Sequence, residues 1–279
     1  TETQVYNVLD KIVADKKIAL DAKLTANGID VAAMQNTKEY LVLTSLDYNT
    51  KQGATNLIGP KLLSAITNDN RAEAWYEIRY GSNKNGIHAS RRYAEAALFG
   101  LYDAGTLSKD QEIDQSKEIL QMYTEHNAEI LAYESKYAPA SSIQNEIGRA
   151  KTFLITNFGQ GKAIDGEVIV GQGLKTAAYE QLSPADDIIM TIGNKNNLIF
   201  GEGGDDSIIS GDGNDVIYGG KGDDFISGGK GNDILEGGAG NDDYYFSSGD
   251  GSDKINDNEG TNRIIWIDAN KMPHVMKTF

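Results

Sequence analysis

Apolar side chains along the first 158 residues recur at the three- and four-residue spacing that is typical of amphipathic helices. Thr1 and Ser108 each open a capping box with a glutamine three residues on, and Asn70 is a further candidate cap. Gly28 and Pro139 mark positions where helices end. The pattern therefore predicts a helix ending at Gly28 and further helices over 38–48, 60–66, 73–80, 87–102, 108–137 and 142–157.

The spacing of apolar residues changes after residue 158. Over residues 159–191, short β-prone pieces such as Val168–Val170 are interrupted by glycine, which predicts a linker or a packing adaptor. From Ile192 the chain repeats every nine residues, as IGNKNNLIF, GEGGDDSII, SGDGNDVIY, GGKGDDFIS, GGKGNDILE and GGAGNDDYY. A two-residue insertion follows, and SGDGSDKIN and DNEGTNRII then resume the frame.

Two positions of each nonapeptide are the most informative. Position six is acidic or an amide, at Asn197, Asp206, Asp215, Asp224, Asp233 and Asp242. Position eight is apolar, at Ile199, Ile208, Ile217, Ile226, Leu235 and Tyr244. Six residues of glycine-rich turn and three of strand predict a flattened coil in which two nonapeptides make one turn. Residues 18 apart then stack, and the position-eight side chains form the core of this coil.

Stacking places the position-six carboxylates side by side. At a strand separation of about 4.8 Å these charges repel each other unless a cation lies between them. Calcium suits such a site because it takes six to eight oxygen ligands in flexible geometry. Glycine allows the positive φ angles that direct main-chain carbonyls toward the ion. The pattern therefore predicts calcium between the turns.

The nonapeptides resemble the parallel β-roll of the RTX (repeats-in-toxin, haemolysin-type calcium-binding) family. There, carbonyls two and four and Asp six of one repeat bind an ion together with carbonyls one and three and Asp six of the repeat 18 residues on. The resemblance implies three sites: Glu202, Gly204 and Asp206 with Gly219, Lys221 and Asp224; Gly211, Gly213 and Asp215 with Gly228, Lys230 and Asp233; and Gly220, Gly222 and Asp224 with Gly237, Ala239 and Asp242. A weaker terminal site would join Gly193, Lys195 and Asn197 with Ser210, Asp212 and Asp215, with Asn197 departing from the aspartate consensus.

Composition sharpens the division of the chain. Residues 192–260 hold 18 of the 31 glycines and 15 acidic against 4 basic side chains. The formal charge of −15 has the wrong sign for a protein that binds nucleic acid or an anionic membrane. Cysteine is absent, which excludes disulfides and thiolate metal sites. No apolar run is long enough for a transmembrane segment.

Four segments of the helical part resemble, in this order, the C-terminal lobe of phage-type lysozymes. They are LVLTSLDYN (41–49), GPKLLSAI (59–66), RAEAWYEIRYGSN (71–83) and GIHASRRYAEAALFGLYD (86–103). The resemblance implies that Tyr48, Asn49 and Glu77 lie at a saccharide groove. The catalytic glutamate of that family lies upstream of this lobe, and no Glu-x8-Asp-x5-Thr pattern occurs in the sequence. No catalytic residue is therefore assigned.

The expected fold is a multidomain α and β protein, with an all-α lysozyme-like part followed by a parallel β-roll. The expected divisions are a lysozyme-like lobe (1–104), a helical extension (105–158), the linker or adaptor (159–191), the roll (192–265) and a C-terminal tail (266–279). The resemblances imply a calcium-binding piece of a secreted bacterial protein, exported by type I secretion, whose parent hydrolyses peptidoglycan. The alternative is a non-catalytic module that binds a cell wall or surface, with the roll as a spacer or secretion element.

Overall fold

The computed structural model describes residues 15–35, 37–48, 57–81, 89–102, 107–137, 142–171 and 186–279. The chain divides into two compact units, Thr1–Glu146 and Ile147–Phe279. The described part of the first unit is helical, and every described strand lies in the second.

The first unit contains seven described helices, α1 to α7. Residues 15–26 form α1. The others are α2 (Val31–Met34), α3 (Lys38–Tyr48), α4 (Pro60–Thr67), α5 (Arg71–Arg79), α6 (Ala89–Phe99) and α7 (Lys109–Tyr137). None of the described helices is both long enough and apolar enough to cross a membrane.

The helix boundaries follow from local capping chemistry. The side chain of Asn70 accepts a hydrogen bond from the main-chain N of Glu73 at 2.9 Å. Ser108 and Gln111 form a reciprocal capping box, in which each side chain accepts from the main-chain N of the other residue. Gly28 follows α1 with a φ of 78°, a conformation that favours glycine. The capping box predicted at Thr1 lies outside the described residues.

The second unit begins with most of α8 (Gln144–Phe158) and continues as a coil of eleven described strands. One sheet has the order β1 (Val168–Val170), β3 (Leu198–Gly203), β5 (Val216–Lys221), β7 (Ile234–Ala239) and β9 (Lys254–Ile255). The other has the order β11 (Pro273–Thr278), β10 (Arg263–Ile267), β8 (Asp243–Ser247), β6 (Phe225–Ser227), β4 (Ser207–Ile209) and β2 (Ile188–Met190). Odd- and even-numbered strands up to β10 thus alternate between two parallel sheets, as predicted for a β-roll.

The core lies between the two sheets and is formed by the position-eight side chains. Ile217 pairs with Ile199 on one side and Leu235 on the other, so strands 18 residues apart are neighbours. The fully buried members are Ile199, Ile208, Ile217, Ile226, Leu235 and Tyr244. The predicted pairing of two nonapeptides per turn is confirmed.

The roll extends beyond the nonapeptides at both ends. Val168 in β1 pairs with Leu198, and Ile189 in β2 pairs with Ile208, although the sequence predicts only a linker or adaptor for this segment. At the other end β11 runs antiparallel to β10, within the segment predicted as a tail. An antiparallel last strand ends the parallel sheet by covering the open edge of β10.

Helix α8 leads directly onto the odd-numbered sheet. The ring of Phe158 contacts Phe200 and Tyr218 edge-on, with centroid separations of 5.3 and 5.8 Å. The Tyr218 hydroxyl donates to the main-chain oxygen of Phe158 at 3.1 Å. These contacts join the helix to the outer face of the roll through β3 and β5.

Replacing Ile217 by alanine removes a fully buried side chain from the centre of the roll. The substitution should lower the free energy of unfolding by about 2–5 kcal/mol, because it leaves a cavity that neighbours fill only in part. Urea denaturation in saturating calcium measures the change. Ile192→Ala, at a side chain that is 92 % exposed, is the matched control and should change stability by less than about 0.5 kcal/mol. Equal effects of the two substitutions would contradict the position of the core.

Candidate metal centre

The position-six aspartates form a buried row along each edge of the roll. Asp206, Asp215, Asp224, Asp233 and Asp242 are each at most 2 % exposed. One oxygen of each carboxyl joins adjacent coils: Oδ1 of Asp224 accepts from the main-chain N of Asp206 at 2.8 Å, and Oδ1 of Asp242 accepts from that of Asp224 at 2.9 Å. The turns are therefore connected through these side chains as well as through the strands.

The second oxygen of most of these carboxyls has no hydrogen-bond partner. Buried Oδ2 atoms without a partner occur at Asp206, Asp224, Asp233 and Asp242. A buried carboxylate oxygen costs free energy unless a hydrogen bond or an opposite charge compensates it. A cation beside these four atoms would compensate them.

Glycine at position one keeps the space beside each free oxygen open. A Cβ placed on Gly201 would collide with both Oδ2 of Asp206 and the carbonyl oxygen of Gly219. A Cβ on Gly219 would collide with Oδ2 of Asp224 and lie 2.7 Å from the carbonyl oxygen of Gly237. A carboxylate oxygen and a main-chain carbonyl oxygen thus converge on one small space, and such an all-oxygen set suits calcium.

The electrostatics of the row are unfavourable without a cation. Burial, together with the charges of Asp206 and Asp242, raises the pKa of Asp224 to about 7. Burial likewise raises the pKa of Asp233 to about 7 and those of Asp206 and Asp242 to about 6. A bound divalent ion supplies positive charge that favours the ionised carboxylates and reverses these shifts.

Position five is also occupied by Asp or Asn but has a different role. Oδ1 of Asp205 accepts from the main-chain N of Asp223, and Oδ1 of Asn214 accepts from that of Asn232, both at 2.9 Å. Asp and Asn serve equally here because only a neutral acceptor is needed. Asp223 is exposed, whereas its neighbour Asp224 is buried. Of these adjacent acids, only the position-six residue has a buried oxygen without a hydrogen-bond partner.

The weaker predicted site is arranged differently. The amide Nδ2 of Asn197 donates to the carbonyl oxygen of Lys195 at 2.9 Å and to Oδ1 of Asp215 at 3.1 Å. The hydroxyl of Ser210 donates to Oδ2 of Asp215. The amide hydrogens of Asn197 thus bridge two oxygens that the resemblance assigns to an ion, and they do so without a charge.

The structure also brings together a pair that the sequence analysis did not assign to a site. Oδ1 of Asp253 accepts from the main-chain N of Asp233 at 2.9 Å, and burial raises the pKa of Asp253. The two residues are 20 rather than 18 positions apart, because of the insertion. The resumed nonapeptide frame was the signal that places Asp253 at position six.

The helical unit contains one described member of the predicted saccharide groove. Glu77 is buried in α5, and its Oε1 lies 4.0 Å from Nζ of Lys61. It lines a cavity of about 340 Å³ together with Tyr76, Glu129 and other residues. Tyr48 is the last residue of α3, but its side chain and Asn49 lie outside the described residues.

A histidine–glutamate cluster borders the same cavity. Nε2 of His126 lies 3.0 Å from Oε2 of Glu73 and 3.8 Å from Oε1 of Glu125. Burial lowers the pKa of His126, but the hydrogen bond and charge of Glu73 outweigh it and raise the pKa overall. Tyr76 stacks on the imidazole at 3.7 Å. No sequence pattern predicts this ion pair, because α5 and α7 are far apart in the chain.

Comparison with known proteins supports the assignment of the roll. Residues 191–226, 209–244 and 218–252 match the family model of the RTX calcium-binding nonapeptide repeat. This part of the second unit therefore carries RTX calcium-binding repeats, and the helical unit lies outside the matched residues. No curated protein and no solved structure matches the chain.

Replacing Asp224 by asparagine should have opposite effects with and without calcium. In calcium it removes an anionic ligand shared by two neighbouring sites, so the chain should bind fewer ions and the roll should melt at a lower temperature. In chelator it removes a buried charge while Oδ1 can still accept from Asp206, so the roll should be at least as stable as the wild type. Asp223→Asn is the control, with the same change of charge at an exposed side chain.

Thermal unfolding by circular dichroism and ion counting by equilibrium dialysis measure both effects. Equal loss of bound calcium in Asp223→Asn and Asp224→Asn would contradict the assignment of position six as the ligand.

The calcium-free roll should become less stable as the pH rises. In the folded roll, the pKa values of Asp206, Asp224, Asp233 and Asp242 are about 6 to 7, above the ordinary value of 3.8. Between pH 3.8 and about 7 the folded chain therefore holds more protons than the unfolded chain. Stability in chelator should be greatest below about pH 4 and be lost as the pH rises through about 6 to 7. Calcium affinity should change in the opposite sense, because the ion requires ionised carboxylates.

Circular dichroism of the full chain in chelator, at several values between about pH 5 and pH 8, measures this dependence as a loss of β-sheet signal with rising pH. Asp224→Asn should reduce its slope. A calcium-free roll that gains stability with rising pH over this interval would contradict the raised pKa values.

Proposed function

We propose that the second unit is a module that folds when it binds calcium between its coils. The sites join Asp206 with Asp224, Asp215 with Asp233, Asp224 with Asp242, and Asp233 with Asp253. The observation that carries the proposal is the set of buried Oδ2 atoms without a partner. Those of Asp206 and Asp224 share spaces kept open by glycine with main-chain carbonyl oxygens. At the first coil, the amide of Asn197 already joins the carbonyl oxygen of Lys195 and Oδ1 of Asp215, so no ion is proposed there.

The energetics make such a module responsive to its surroundings. Extracellular calcium modules bind with dissociation constants of about 10⁻⁴–10⁻³ M. At ten times the dissociation constant each site adds about 1.4 kcal/mol, so four sites add about 5–6 kcal/mol. That equals the whole stability of a small domain. In the cytosol, where calcium is scarce, the roll would remain unfolded.

This dependence suits a protein that is exported unfolded and folds outside the cell. RTX repeats are typical of secreted proteins. Among routes of export, type I secretion is the one to which the family resemblance points. Folding after export also avoids a compact roll that would have to be unfolded again for transport.

For the helical unit we propose a relationship to the C-terminal lobe of phage-type lysozymes and a role at peptidoglycan. The described helices α3 to α6 coincide with the four segments that carry the resemblance, which supports the proposal. Glu77 lines a polar cavity that also contains Tyr76 and Glu129. The parent would hydrolyse peptidoglycan with a glutamate outside this chain.

The absence of the lysozyme glutamate pattern from the sequence favours a second candidate. In this alternative, the helical unit binds a cell wall or surface without cleaving it, and the roll acts as a calcium-folded spacer or secretion element.

Circular dichroism during a calcium titration of the full chain tests the roll. Calcium added to chelated protein should increase the β-sheet signal cooperatively, whereas magnesium at equal concentration should do much less, because it demands a rigid octahedral site. A β-sheet signal that is complete in chelator and unchanged by calcium would overturn the proposal.

Clearing of a cell-wall suspension tests the helical unit. The chain alone should bind the walls but not lyse them, and a version extended upstream should lyse them if the parent is a lysozyme. Lysis by the chain alone would contradict the interpretation that the catalytic glutamate lies outside this sequence. Binding without lysis by both versions would favour the non-catalytic module.

A further inference from the structure

The C-terminal end of the roll departs from the repeat, and three of its departures concern one place. Tyr244 replaces the aliphatic residue at position eight, Asp257 replaces the usual glycine at position one, and Asn262 replaces the aspartate at position six. The nonapeptide family match ends at residue 252, before Asp257 and Asn262. These three side chains nevertheless converge on a single place.

That place is the space above Gly237. In the coils that begin at Gly201 and Gly219, a carboxylate oxygen shares this space with a main-chain carbonyl oxygen. At Gly237, a Cβ would collide with Oδ2 of Asp242 and lie 2.6 Å from the hydroxyl oxygen of Tyr244. The phenol thus reaches from the apolar core to the row of carboxylates, and it is fully buried.

The Tyr244 hydroxyl holds Asp257 in position. It donates to Oδ2 of Asp257 at 2.5 Å and accepts from the main-chain N of Gly237 at 2.6 Å. Nδ2 of Asn262 donates to the same Oδ2 at 2.9 Å. Asp257 is therefore fixed by two donors. Burial raises the pKa of Asp242, and the nearby carboxyl of Asp257 raises it as well.

The oxygen left without compensation at this place is Oδ2 of Asp242. The side chain of Asp242 is 0 % exposed, and this oxygen has no hydrogen-bond partner. Two neighbouring carboxylates, one of them fully buried, repel each other once both are ionised, and at neutral pH a cation between them removes that repulsion. In the regular coils, the space beside the position-one glycine holds one side-chain carboxylate. At this end of the roll, two carboxylates lie close to that space.

We propose that Asp242 and Asp257 form a further calcium site at the C-terminal end of the roll, with Tyr244 as a positioning residue for Asp257. The site rests on the proposed function, because it presumes calcium in the roll. It differs from the sites between regular coils in its second carboxylate, which comes from position one rather than position six. Oxygen ligands and a flexible ligand number suit calcium here too.

Occupation of this site would stabilise the packing of β11 and Phe279. Asn262 exchanges two main-chain hydrogen bonds with Phe279, the last residue, at 2.8 and 2.9 Å. The Phe279 ring stacks against Tyr244, with centroids 6.3 Å apart. An ion that fixes Asp242 and Asp257 therefore also fixes the residues on which β11 and Phe279 pack.

Ion counting on the full chain tests the proposal. By equilibrium dialysis against calcium, Asp257→Asn should bind one ion fewer per chain than the wild type. Asp223→Asn, which removes an equal charge near Asp242 but from an exposed side chain, should bind the wild-type number. An unchanged count in Asp257→Asn would overturn the site. The hydroxyl of Tyr244 would then only fill the space beside Gly237. A wild type that binds no calcium would instead overturn the proposed function.

Terbium luminescence excited through tyrosine gives a second readout. Tyr244 lies beside the site, so Tyr244→Phe should lose sensitised emission from one ion and weaken that ion's binding several-fold, while the phenyl ring still fills the core. Unchanged emission and affinity in Tyr244→Phe would contradict the positioning role. Loss of emission in Asp257→Asn with β-sheet content unchanged in calcium would distinguish loss of the ion from misfolding.

Discussion

Repulsion among its buried aspartates opposes folding of the roll, and the rest of the structure depends on how that repulsion is compensated. Each coil adds one carboxylate to a row whose members are joined by a hydrogen bond through Oδ1, while most of the Oδ2 atoms remain without a partner. The apolar core is narrow, with one position-eight side chain per nonapeptide. A core of this size does not offset a row of unpaired buried charges. Whether the carboxylates are compensated by a cation or a proton therefore decides whether the roll is stable.

The strict repeat made much of the roll predictable from sequence. A single nine-residue period determines which side chains enter the core, which strands pair and which aspartates are stacked. Helix bounds were predictable for a similar reason, because Asn70, Ser108 and Gly28 act on their own local backbone. Each of these features depends on residues close in sequence or related by a fixed spacing.

The features that sequence reasoning missed depend on contacts without a fixed spacing. β1 pairs with β3 across 30 residues rather than 18, so no repeat indicates that the roll begins there. Asp253 is displaced by two residues, and Asp257 lies at a position where the repeat usually has glycine. In the helical unit, His126 meets Glu73 only through the packing of α5 against α7. The role of Asn197 as a neutral bridge likewise depends on the direction of its amide, which the sequence does not specify.

The central claim is that the roll closes only when cations compensate its buried carboxylates at neutral pH. Amide hydrogen exchange of the full chain, compared in calcium and in chelator and resolved by mass spectrometry, measures this directly. Peptides covering β3 to β8 should be protected in calcium and exchange rapidly in chelator, while peptides from α3 to α7 should show the same protection in both. Equal protection of β3 to β8 in chelator, with no metal bound, would contradict the claim.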